Sequence, residues 1–135
     1  MATIRDLTWT PNPLSPDPAI TTATCSARAG FGSAGLRIRY DLAGARFSPA
    51  VDILPPAEAA GSSPSPNQVS RDARSVVDLL TVAPNTEVDV KRLLTVDPDD
   101  GKGLVSLTVT VTDLPDGVCT SGGCQLIRTN AVKLG

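Results

Sequence analysis

The sequence predicts an all-β fold, an antiparallel two-sheet sandwich of about seven or eight short strands with at most one short helix. Two observations carry the prediction. The first is the stretch LVSLTVTVTD, Leu104 to Asp113. In an extended chain Val105, Leu107, Val109 and Val111 share one face, and Ser106, Thr108, Thr110 and Thr112 share the other. β-Branched residues suit a pleated surface, and one oily face beside one wettable face describes a sheet packed on one side only. The second observation is punctuation. Clusters of Gly, Pro, Asp and Asn recur between short apolar runs along the whole chain, too closely spaced for long helices.

Taken in order, TIRDLTW (3–9) reads as a first strand. It is stopped by TPNPLSPDP (10–18), whose four prolines cannot continue a ladder. The Thr-rich AITTATCSARA (19–29) follows as a strand, then GLRIRYDL (35–42), with Leu36, Ile38, Tyr40 and Leu42 on one side and Arg37, Arg39 and Asp41 on the other. PAVDILP (49–55) is a short strand between prolines, and the Pro/Ser-rich 55–68 reads as a flexible surface loop. SRDARSVVDLLTV (70–82) is ambiguous: Ala73, Val76, Val77 and Leu80 fit helical spacing, yet SVVDLLTV also suits a buried strand. Its strand neighbours and the early Pro84 favour the strand.

In TEVDVKRLLTV, Val88, Val90, Leu94 and Val96 alternate with polar residues, and Arg92 interrupts the apolar series. DPDDGKG (97–103) then supplies turn chemistry before the LVSLTVTVTD ladder, so the two runs are expected to pair as a β-hairpin. QLIRTNAVKL (125–134) closes the sheet. Residues 1–135 are read as one domain.

A chain of 135 residues buries roughly two-thirds of its unfolded surface. Hydrophobic residues make up 41% but aromatics only 3%, so Val, Leu, Ile and Ala must fill the core, with Trp9 stapling the first strand to it. A net charge of −2 argues against nucleic-acid binding. No apolar run is long enough to span a bilayer, and MATIRDLTWTPNPLSP lacks the apolar core of a secretory signal. The expectation is a protein made and used without export by that route, the alternative being a signal already removed.

Candidate chemistry is sparse. GFGSAG (30–35) satisfies the glycine spacing of a dinucleotide loop, but a strand follows it where a phosphate-binding helix should start, so it reads as a hairpin loop. Cys119 and Cys124 bracket TSGG and could form a disulfide if their Cα atoms lie within about 7 Å. The other reading is two free thiols in a reducing compartment. With no histidine and only Cys25 besides, zinc is not expected, and Cys25 reads as a small core residue. Asp97, Asp99 and Asp100 could suggest calcium, but position 108, where the bidentate Glu of an EF-hand would fall, is Thr, so a solvated turn is expected. Without a histidine base or a nucleophile elbow, and with Glu58 and Glu87 the only glutamates, no catalytic residues or cofactors are assigned and an enzyme is not expected.

IRDLTWTPNPLSPD, the Thr-rich strand after it and the closing RTNAVKL resemble bacterial immunoglobulin-like modules of the CARDB or fibronectin-III-like kind. The resemblance covers the two ends of the chain. It implies an immunoglobulin-like sandwich and a role in adhesion, spacing or assembly, and it brings no catalytic residues. With a composition rich in Ala, Asp, Arg and Pro, the expected function is that of a multi-copy phage virion component. Such a capsid decoration or tail accessory protein would bind a capsid, tail or surface lattice and assemble in the host cytoplasm. The Pro-rich 10–18 could lie extended along a neighbouring subunit, where proline lowers the entropy cost of ordering. The alternative is a module of an exported adhesion or carbohydrate-binding protein at the cell surface.

Overall fold

The computed structural model describes residues 2–10, 13, 14, 17, 19–32, 35–47, 58–60, 67–71, 73–99, 103–114 and 124–133. Among them every regular element is a strand: β1 (Thr3–Thr10), β2 (Ala19–Arg28), β3 (Gly35–Ala43), β4 (Ala45–Phe47), β5 (Glu58–Ala60), β6 (Asn67–Arg71), β7 (Ser75–Leu80), β8 (Glu87–Pro98), β9 (Gly103–Leu114) and β10 (Cys124–Lys133). Eight of these have five residues or more, while β4 and β5 have three each. No helix among the described residues is long and apolar enough to cross a membrane.

The strands form two antiparallel sheets. One has the order β1-β2-β8-β4, with β5 lying on the same edge of β8 as β4, and the other has the order β10-β9-β3-β7-β6. Their inner faces hold the apolar halves of the alternating runs: Leu36, Ile38, Tyr40 and Leu42 of β3, Val88, Val90, Leu94 and Val96 of β8, and Val105, Leu107, Val109 and Val111 of β9 are all buried. Trp9, Cys25 and Phe47 join the same core. Leu14, between the prolines of the β1–β2 connection, is buried as well, so this segment packs back onto its own domain at that point.

The ambiguous segment 70–82 is strand. Ser75–Leu80 pairs with β3 on one side and β6 on the other, which places Val76 and Leu80 inward at a period of two. Within 55–68, Glu58–Ala60 pairs with β8 and Asn67 opens β6. The expected strand at 49–55 lies outside the described residues.

Two expectations fail. β8 and β9 are not a hairpin, because β8 pairs with β2, β4 and β5 while β9 pairs with β10 and β3 in the facing sheet. The chain therefore passes from one sheet to the other between Pro98 and Gly103, as an arch. GFGSAG likewise joins β2 to β3 in the other sheet and is an arch, not a hairpin loop. Alternation fixes which side chains face the core but is silent on which neighbour supplies the backbone partners. An arch places two strands so that both oily faces meet, and it leaves the same sequence pattern as a hairpin.

A third crossing occurs at Gly44. β3 ends at Ala43, opposite Ser106 of β9, and β4 starts at Ala45, opposite Pro98 of β8. The chain therefore changes sheets across a single residue. Gly44 takes φ +81°, and a Cβ there would stand 2.6 Å from the Leu104 carbonyl oxygen, so the bend requires glycine. Arg74 secures this corner: its Nη1 donates to the Ala45 carbonyl oxygen at 2.6 Å and to Asp99 Oδ2 at 3.0 Å.

Candidate functional site

Two charged residues occupy inward positions of otherwise apolar strands. On β8 the series Val88, Val90, Arg92, Leu94, Val96 places a guanidinium mid-core, and on β7 the series Val76, Asp78, Leu80 does the same with a carboxylate. Both side chains are 0% exposed. β7 and β8 belong to different sheets, so the two charges meet across the core, with Arg92 Nε 3.3 Å from Asp78 Oδ2. This contact is an ion pair only: neither oxygen of Asp78 takes part in a hydrogen bond.

The surroundings are apolar. Arg92 stands in register with Ala23 of β2, which is in register with Trp9 of β1, so an indole, a methyl group and the guanidinium form a row on one inner face. Across the core, Asp78 is in register with Ile38 of β3 and Gln68 of β6. The buried Tyr40 hydroxyl makes no hydrogen bond, and the charges of Asp78, Cys25 and Arg92 all act on it. Burial holds the Tyr40 hydroxyl well above its ordinary range, with the Asp78 charge adding to the effect. The Cys25 thiol is pushed up to about 12, chiefly by burial and then by the Asp89 charge. Burial also raises the Asp78 carboxyl to about 6, against the opposing pull of Arg92. Burial dominates because a charge loses its hydration inside the sandwich and one imperfect partner returns only part of it. Closed off from solvent, the cluster can hold or release a proton and couple the sheets.

The residues singled out by sequence are dispersed. Cys119 and Asp100 lie outside the described residues. Cys124 opens β10 opposite Thr112, and the choice between a Cys119–Cys124 disulfide and two free thiols lies outside the described residues because Cys119 does. Asp97 and Asp99 are each taken by an arginine, Arg46 at 3.5 Å and Arg74 at 3.0 Å. Among the described residues no three His, Cys, Asp or Glu side chains gather where a metal ion could sit. Glu87 pairs with Arg5 through two contacts, Nε to Oε2 at 3.1 Å and Nη2 to Oε1 at 2.6 Å, and this partner lowers its carboxyl below the ordinary value.

Outside the core, the arch after β2 has a fixed base. Ala29 N–H donates to Thr86 O at 3.0 Å, Asn85 N–H to Gly30 O at 3.2 Å and Gly30 N–H to Asp113 Oδ1 at 2.8 Å. From this base Phe31 stands 95% exposed. Arg92 carries a visible sequence signal as the break in an apolar series. Asp78 carries the same signal one strand earlier, obscured by the helix-or-strand ambiguity of its segment. No protein-family model and no curated protein matches the chain.

Proposed function

We propose that the protein is a non-enzymatic structural component, an immunoglobulin-like sandwich that acts through protein–protein contacts in a repeating assembly. Its most concrete form is a phage virion part, a capsid decoration or tail accessory protein. The observation that carries the reading is strand order. An immunoglobulin sandwich sets its first, second, fifth and fourth strands in one sheet against its seventh, sixth and third in the other. Here β1-β2-β8-β4 faces β10-β9-β3-β7, with β8, β9 and β10 in the places of the last three strands. The chain departs from that plan between β4 and β8, where β6 and β7 extend the second sheet beyond β3. Such a scaffold holds loops rigidly, and an exposed Phe31 on a hydrogen-bonded arch is the kind of aromatic anchor that interfaces favour.

The test is co-sedimentation of purified protein with particles from its own source, followed by electron microscopy of the pellet. The reading expects protein at regular positions on a capsid or tail, and Phe31→Ser is expected to lower occupancy while leaving the melting temperature unchanged. A chain that stays monomeric and binds no capsid, tail or surface lattice defeats it. In that case, oxidised cysteines in native protein together with sugar binding favour the exported module instead.

A further inference from the structure

We infer that the Asp78–Arg92 pair is a proton-operated coupling between the two sheets: uptake of one proton by Asp78 removes a poorly compensated buried charge and tightens the sandwich, making the protein more stable in mild acid than at neutral pH. The geometry carries this. Asp78 sits on β7 and Arg92 on β8, in opposite sheets, and both are wholly buried. At 3.3 Å they form an ion pair, yet neither carboxylate oxygen is hydrogen-bonded. A buried carboxylate with one partner and no hydrogen bond is unfavourable as an anion and comfortable as an acid.

Of the groups around Asp78, Arg92 alone opposes the proton and the others carry no charge near pH 7. Arg92 from β8 is the one cation among the groups that act on it and favours the anion. Tyr40 from β3 and Cys25 from β2 are neutral near pH 7, because burial raises both. Gln68 of β6 and Ile38 of β3, in register with Asp78, carry no charge. Tyr40, two pairs along the ladder from Asp78, has a buried hydroxyl without a hydrogen bond, so it does not hold the carboxylate as an anion.

The sign follows from the carboxyl standing at about 6 in the folded protein against an ordinary 3.8. The folded chain takes up the proton before the unfolded chain does. The resulting stability is complete below the unfolded value and is lost as pH rises through about 6. The chain has no histidine, so no ordinary side chain competes for that window.

The experiment is urea denaturation of the full chain between pH 5 and pH 7.5, with a carboxyl-carbon NMR titration of Asp78. The unfolding equilibrium constant is expected to fall roughly tenfold from pH 7.5 to pH 5. In Asp78→Asn the change should shrink below about twofold. Where that variant does not fold, the double variant Asp78→Leu with Arg92→Met replaces the pair by apolar groups and should give the same flat profile. A tenfold change that survives in either variant overturns the inference. So does an Asp78 carboxyl that titrates below about pH 4, its ordinary range.

Discussion

Leu107 has no exposed surface and lies on an inner strand of its sheet, between β3 and β10. Truncating it leaves a cavity that the flanking ladders cannot close. Leu107→Ala is therefore expected to cost about 2–5 kcal/mol, read as a lower urea midpoint at unchanged slope. Cys25 makes a different prediction. Its thiol is buried and held near 12, so almost no thiolate exists at neutral pH. Peptide mapping after brief alkylation of native protein should find Cys25 unmodified, and the same treatment in denaturant should label it fully. Trp9 shows how a residue can break a pattern and still be placed. Ile4 and Trp9 are both buried although an odd number of positions separates them, which a regular strand forbids. A bulge between Arg5 and Thr8, with Asp6 at φ 58°, turns the strand over and brings both inward.

At the scale of elements, the chain's most demanding feature is the switch of sheets at Gly44. A side chain there would meet both a positive φ and the Leu104 carbonyl oxygen. Gly44→Ala is expected to destabilise by about 2 kcal/mol, more than the gain that glycine replacement brings at ordinary positions. Calorimetry would show the loss as a lower melting temperature. Strand positions in β3, β8 and β9 were legible because each carries four or more alternating residues facing a core. Strand partners were not, because hairpin and arch impose the same alternation. β4 and β5 left no readable pattern, since three residues are too few to show a period.

For the whole molecule, the buried pair links stability to pH and to composition. A shift from 3.8 to about 6 corresponds to about 3 kcal/mol between fully protonated and fully ionised Asp78, with the protonated form favoured. Removing one partner exposes the cost of the other. Arg92→Met alone leaves Asp78 as a lone buried carboxylate and is expected to cost about 3–5 kcal/mol at pH 7.5. Most of that loss should be recovered at pH 5, where the carboxyl is neutral, a comparison that denaturation at the two pH values provides directly. The double apolar variant should cost far less than the sum of the single changes, because the two residues share one interaction.

The sequence by itself determined the longer strands, their inward faces and a core filled by Val, Leu, Ile and Ala with few aromatics, since side-chain alternation is a local property of extended backbone. It also marked Arg92 as out of place. Only the tertiary structure decided that β8 and β9 face each other from separate sheets, and only that arrangement puts Asp78 opposite Arg92. Pairing across a core depends on where connections cross it, and a connection of a few polar residues is compatible with either route.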